Sequence, residues 1–156
     1  MGQYNVSVTD IIDAPVEAVY AIISDYHDGH PSILPPQYFK EINVEQGGQG
    51  AGTVARVEME VMGNRQTFRL AVTEPVPGRV LVEEDAAAGT SSRFTLEPLA
   101  DGRTRVTITT EVRAAGGLRG LIERWISPSL LRRVYRDELH LLAEKTRRQG
   151  GQAGFG

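Results

Sequence analysis

From about Tyr38 to Val112 the apolar residues recur with a period of two. The run is interrupted at Gly47-Gly48, Gly63-Asn64, Pro75-Val76-Pro77-Gly78, Ala86-Ala87-Ala88-Gly89 and Asp101-Gly102. Successive side chains leave a strand on opposite faces, and clusters of Gly, Pro, Asn and Asp mark chain reversals. The segment therefore reads as five or six strands of an antiparallel meander.

Register arithmetic tests that reading. With Gly63-Asn64 as a two-residue hairpin turn, Met59 faces Phe68, Val57 faces Leu70 and Ala55 faces Val72, so one face is wholly apolar. Glu58 with Arg69 and Glu60 with Thr67 fall on the other face, where Arg56, Arg65 and Arg69 read as partners of cross-strand carboxylates, not as an anion site. A two-residue turn at Asp101-Gly102 would throw the apolar sets of its strands to opposite faces. A three-residue loop is expected instead, with Leu96 opposite Ile108 and Phe94 opposite Thr110 inside, and Arg93 opposite Glu111 outside. In the strand at 80–85, Glu84 shares the parity of Val80 and Val82. It is expected to point inward, with Glu83 and Asp85 outward.

Two further elements complete the plan. Tyr4, Val6 and Val8 alternate with polar residues in a strand running to about Ile12. A helix follows, with Asp13 as cap candidate, Pro15 in its first turn and Val16, Val19, Tyr20 and Ile23 along one face. The segment 26–36, with three prolines and a glycine, leaves room only for a short helical turn or an ordered loop. From about Leu118 to Arg148, Leu121, Trp125, Leu131, Val134, Tyr135 and Leu139 recur at helical spacing, which predicts a long helix covering the apolar face, kinked or broken at Pro128. Strand, helix, several strands and a long closing helix make an α+β domain of about seven strands. It spans 1–148, and the glycine-rich residues 149–156 are expected to be a flexible tail.

The 156 residues suffice for one domain that buries roughly 70% of its unfolded surface. Zero cysteines exclude disulfides, thiolate nucleophiles and thiolate metal sites. The net charge of −3 speaks against nucleic acid as a partner, but it hides a division. Residues 1–112 carry 8 Lys/Arg against 16 Asp/Glu, a net of −8, and residues 113–156 carry 9 against 4, a net of +5. The closing helix is basic. A solvated face is one reading of it, and attraction to an anionic membrane surface or an acidic carrier protein is another. The start has neither a cationic nor an apolar leader segment, so a soluble, cytoplasmic protein is expected, monomer or homodimer.

Several strings carry a family resemblance: Ile12-Asp-Ala-Pro-Val-Glu-Ala-Val-Tyr-Ala-Ile-Ile-Ser-Asp25 at the first helix, Gly50-Ala-Gly-Thr53, Glu74-Pro-Val-Pro-Gly-Arg79 and Asp101-Gly-Arg-Thr-Arg-Val106. With the element order they resemble the START-like (SRPBCC, helix-grip) superfamily, especially its polyketide cyclase/dehydrase-type members, over about 3–148. The segment 25–35 is also similar to the corresponding stretch of coenzyme-Q-binding relatives. The resemblance implies a curved sheet wrapped around the long C-terminal helix. Between them would lie an apolar cavity for a lipid, a polyketide or a similar hydrophobic molecule, with no cofactor. The motifs lie at a helix start and at turns, so they speak to fold more than to function.

Within that frame Met59, Phe68, Ser92, Phe94, Thr110, Leu121 and Trp125 are the candidate cavity residues. Three groups are candidates for acid/base work: Tyr26, His30 and Glu84. Each has a plainer reading beside it, an exposed loop for Tyr26, His27 and His30 and a solvated strand end for Glu84. His27 and His30 with Asp25 and Asp28 also have the spacing of metal ligands, but the glycine and prolines there argue against a continuous helix, and no metal site is expected. Gly48-Gln49-Gly50-Ala51-Gly52 runs into a strand and not a helix, so it lacks the helix N-terminus that a phosphate loop requires. Three functions remain open: binding of a hydrophobic ligand, cyclisation or dehydration of a polyketide, and a quinone or lipid chaperone that docks through its basic helix.

Overall fold

A computed structural model describes residues 4–113 and 127–153. Its elements are β1 (Tyr4–Ile12), α1 (Val16–Ser24), α2 (Gly29–Ile33), β2 (Phe39–Gln46), β3 (Val54–Val61), β4 (Asn64–Val76), β5 (Val80–Asp85), β6 (Thr90–Pro98), β7 (Thr104–Val112) and α3 (Pro128–Ala153). The strands form one seven-stranded antiparallel sheet in the order β1-β7-β6-β5-β4-β3-β2. Six consecutive strands make the meander, and β1 closes its end beside β7.

Both hairpins keep the expected faces but slip by two residues. Val61 pairs with Asn64, so Val57 faces Phe68 and Ala55 faces Leu70, and the turn is Met62-Gly63. Both turn residues have positive φ, 52° and 82°, the geometry that matches the twist of two-residue hairpins. Gly63 adopts it without strain, and Met62, 95% exposed, occupies the neighbouring left-handed position. At the other hairpin Pro98 pairs with Thr104, so Phe94 faces Ile108, Leu96 faces Val106 and Arg93 faces Thr109. Leu99 donates its N–H to the Arg103 carbonyl, which closes a loop of the expected three residues, 100–102, one position earlier in the chain, and the Asp101 carboxylate accepts from the Arg103 N–H. A shift of two leaves side-chain parity intact, so the apolar face survives. On the outer face Arg65 reaches Glu58 and Glu60, and Arg69 reaches Glu45 in place of Glu58.

The covered face and the helices share one core. Val16, Val19, Tyr20 and Ile23 of α1 are buried, as are Leu131, Val134, Tyr135, Leu139 and Leu142 of α3. Pro15, not Asp13, occupies the N-cap of α1. Pro128 starts α3 instead of kinking it. At the first helical position its missing N–H removes no helical bond, and Ser127 Oγ accepts from the Leu130 N–H as a cap. The part of the long helix expected at 118–126, with Leu121 and Trp125, lies outside the described residues. At its other end α3 continues past Arg148 through Gly150 to Ala153, into the stretch expected to be tail. No helix among the described residues is long and apolar enough to cross a membrane.

Candidate functional site

Between the sheet and α3 lies a cavity that opens to solvent at its mouth. Its walls are mainly apolar: Phe39 and Ile42 from β2, Met59 from β3, Phe68 from β4, Phe94 from β6, and Leu131 and Val134 from α3. Of the expected cavity residues, Met59, Phe68, Ser92, Phe94 and Thr110 all line it.

A polar row crosses this apolar face. Pairing sets Glu83 of β5 opposite Ser92 of β6, and Ser92 opposite Thr110 of β7, so the three stand side by side on adjacent strands. Ser92 Oγ and Thr110 Oγ1 lie 2.7 Å apart, and the Tyr135 hydroxyl from α3 bonds to Thr110. Burial pushes the Tyr135 phenol up to about 12, so it remains a hydroxyl.

Glu84, expected inward, is exposed, and Glu83 takes its place in the cavity. Val80, Leu81 and Val82 are apolar on both parities, so the strand itself does not declare its inner face. Its neighbour decides: Leu81 pairs with Phe94 and both are buried, whereas Val82 pairs with Arg93 on the outside. Asp85, also of inward parity, is spent on structure and accepts from the backbone N–H groups of Arg69 and Ala88.

Tyr26 and His30 converge on Glu83. The Tyr26 hydroxyl donates to Glu83 Oε2 at 2.5 Å, and His30 Nε2 lies 3.4 Å from the same oxygen. The two rings stack with centroids 4.5 Å apart, and Phe94 meets the imidazole edge-on. Tyr26 is 1% and His30 2% exposed, so neither belongs to an exposed loop. Desolvation, and then the Glu83 charge, hold the Tyr26 phenol well above its ordinary range. The imidazole tautomer follows from its other contact. Nδ1 lies 2.6 Å from the Ile23 carbonyl, which can only accept, so Nδ1 carries a proton. The ring's other nitrogen, Nε2, is therefore the one that faces Glu83.

Local chain geometry places these groups. Gly29 lets α2 approach α1, since a Cβ there would lie 2.5 Å from the Ile22 carbonyl oxygen. His30 N–H donates to the Asp25 carbonyl. The Asp25 carboxylate accepts from the N–H groups of His27, Asp28 and Gly29 and from Gln49 Nε2. It is a loop clamp, and exposed His27 stands apart from buried His30. Among the described residues no group of three His, Cys, Asp or Glu side chains is placed to hold an ion. The glycine-rich loop 47–52 is stitched to the same segment, with Tyr26 N–H donating to the Gly48 carbonyl and Gly50 N–H to the Ser24 carbonyl, each at 2.8 Å.

Glu138 is a cavity residue that the sequence analysis does not single out. It is 2% exposed, lines the cavity, and its Oε2 has no hydrogen-bond partner among the described residues. Burial, and then the nearby Glu83 charge, hold its carboxyl well above the usual range. A signal was available: Leu131, Val134, Tyr135, Glu138, Leu139 and Leu142 follow the spacing of a single buried stripe, so Glu138 stands where an apolar residue belongs. The site thus holds two carboxyl groups in different surroundings, Glu83 accepting from the Tyr26 hydroxyl beside His30, and Glu138 buried with its carboxyl held toward the neutral form.

Known proteins supply a frame for this geometry. A family model described as polyketide cyclase/dehydrase and lipid transport matches residues 3–147. The chain is similar to the solution structure of KanY protein, at 33% identity over 94% of this chain and 99% of that one, with a TM-score of 0.79. It is also similar to the Zhui aromatase/cyclase from Streptomyces sp. R1128, at 23% identity over 94% and 95% of the two chains, TM-score 0.70. A START superfamily protein from Mycobacterium smegmatis matches at 17% identity over 96% and 98%, TM-score 0.59. These last two likenesses bear on the fold alone, which is the helix-grip fold of START-like proteins. No curated protein matches the chain. Since the family model spans nearly the whole sequence, the chain belongs to the polyketide cyclase/dehydrase and lipid transport family.

Proposed function

We propose that the cavity binds a small, mostly apolar molecule bearing carbonyl groups, of the polyketide type, and moves protons on it so that it closes into a ring and loses water. The observation that carries this reading is the convergence of Tyr26 and His30 on the single carboxyl of Glu83 inside an apolar cavity. Withdrawing such groups from water costs several kcal/mol, and a passive container would be more stable with apolar residues in their place. A site that transfers protons needs them.

In this reading Glu83 takes a proton from a carbon beside a carbonyl, breaking a C–H bond. The enolate carbon attacks a second carbonyl of the same molecule and forms a C–C bond, and the resulting alkoxide takes that proton back from Glu83. Glu83 then removes the second hydrogen of the same carbon, a C=C bond forms as the C–O bond breaks, and the departing hydroxyl takes this second proton and leaves as water, with Tyr26 and His30 holding the carboxyl in place. The sequence is redox-neutral. The apolar walls fold the flexible chain so that the two reacting carbons meet.

The test needs no knowledge of the natural substrate. Exchange of the α-hydrogens of 2-tetralone in deuterated water, followed by NMR, is expected to accelerate over buffer with the wild-type protein and to return to background with Glu83→Gln. Acceleration that survives Glu83→Gln, or none with the wild type, refutes the proton transfer. Hydrophobic ligand binding then stands alone as the function, read by native mass spectrometry as a co-purifying molecule.

A second reading concerns how the ligand arrives. Arg132, Arg133, Arg136 and Arg147 are exposed and form no ion pair with a described residue. At helical spacing they share one side of α3, along about 22 Å of its length. This cationic stripe fits an anionic membrane surface from which a hydrophobic ligand is collected.

A further inference from the structure

The cavity contains a buried acid, one oxygen of which has no hydrogen-bond partner among the described residues. Glu138 comes from α3, is almost wholly buried, and its unpartnered Oε2 belongs to a side chain that faces the same space as Glu83, Ser92 and Tyr135. Among the described residues no lysine or arginine lines that space. An unpaired carboxylate in such a place would cost many kcal/mol, so the group keeps its proton and presents an O–H donor. The hydroxyls of Ser92, Thr110 and Tyr135 are already bonded to one another, which leaves Glu138 as the donor in need of an acceptor.

We propose that Glu138 is the specificity residue of the cavity, donating a hydrogen bond to a carbonyl or ether oxygen of a neutral ligand and excluding carboxylates of the same shape. This deepens the ligand class proposed above and rests on the cavity being the binding site. The two halves have one cause. A ligand carboxylate would enter a space holding two other carboxyl groups and, among the described residues, no lysine or arginine, with the one imidazole already set against Glu83, and it would have to take up a proton to be admitted. A ketone, ester or thioester meets the acid as an acceptor and restores the hydrogen bond that the empty cavity lacks. Free fatty acids and other acidic lipids are thus poor guests, although their tails suit the walls.

Three probes with one ring system separate these possibilities: 2-acetylnaphthalene, 2-ethylnaphthalene and 2-naphthoate, titrated calorimetrically at pH 7 against the full chain. The expected order is acetyl tightest, ethyl about five- to ten-fold weaker for want of one hydrogen bond, and naphthoate about a hundred-fold weaker than acetyl. Glu138→Gln keeps an N–H donor and is expected to keep the preference for acetyl over ethyl. Glu138→Leu is expected to abolish that preference while ethylnaphthalene binds as before. Naphthoate binding as tightly as the ketone, or an acetyl preference unchanged in Glu138→Leu, overturns the proposal. So does tightest binding by 2-naphthylmethylammonium, which would make Glu138 a carboxylate partner for cations. Failure of every probe to bind the wild type overturns the cavity reading itself, and a wrong ranking overturns only the role of Glu138. The wild-type ranking does not depend on any variant folding.

Discussion

Replacing Glu138 by Gln changes almost nothing in shape and removes one titration, so it isolates what that burial does to stability. The carboxyl is neutral when folded because desolvation, and then Glu83, hold it well above the usual range. In the unfolded chain it ionises near its ordinary value of about 4.3. Well below pH 4 it is protonated in both states and contributes no pH dependence. Above that, the unfolded chain releases a proton that the folded protein keeps, so folded stability falls as pH rises. The decline continues until the pH reaches the folded value. For one group the slope is about 1.4 kcal/mol per pH unit. The amide of the Glu138→Gln variant has no proton to release, and Glu83, Tyr26 and Tyr135 remain in both proteins. The stability of Glu138→Gln relative to wild type should therefore climb with that slope above a pH of about 4.3. Urea denaturation at half-unit steps from pH 4 to 7 reads the difference directly. In thermal scans the same slope is about 3–6 °C of relative Tm per pH unit for a domain of this size. A constant offset between the two proteins across the range would refute the neutral acid.

Two further outcomes test the fold and the basic helix. Leu139→Ala, at a fully buried position of α3, should cost about 2–5 kcal/mol in urea denaturation, and Leu131→Ala less, because Leu131 already borders the open cavity. Equal costs would mean that the space beside Leu131 is closed. Sedimentation with vesicles rich in phosphatidylserine at low salt should capture the wild type, and Arg132→Glu with Arg136→Glu should release it. Binding that ignores both salt and these changes refutes docking through α3.

The extent to which the sequence could be read follows from the kind of signal each residue carries. Parity is robust. Both hairpins slipped by two residues, yet Val57, Met59, Phe68, Phe94 and Ile108 stayed on the covered face because a shift of two preserves side-chain direction. Where alternation fails, inference fails with it. Val80-Leu81-Val82 is apolar on both sides, and the pairing of Leu81 with Phe94, a fact about the neighbouring strand, is what turns Glu83 inward. Tyr26 and His30 were visible as candidates, but their meeting point was not. It depends on the close approach at Gly29 and on the Nδ1 contact to Ile23, neither of which is written in local spacing. Glu138 was legible and was overlooked, because a charge on a basic helix reads first as a counter-ion and only second as an interruption of the buried stripe.

The backbone bonds from Tyr26 to Gly48 and from Gly50 to Ser24 tie segments 24–30 and 47–52 into one unit. Anyone building chimaeras in this family would have to exchange the two segments together. A graft of 24–30 alone would bring Tyr26 and His30 without the loop that sets their height above the sheet. By the same reasoning the pocket can be resized at Met59 of β3 without disturbing that unit, whereas Phe94 of β6 packs on the His30 ring and belongs with it.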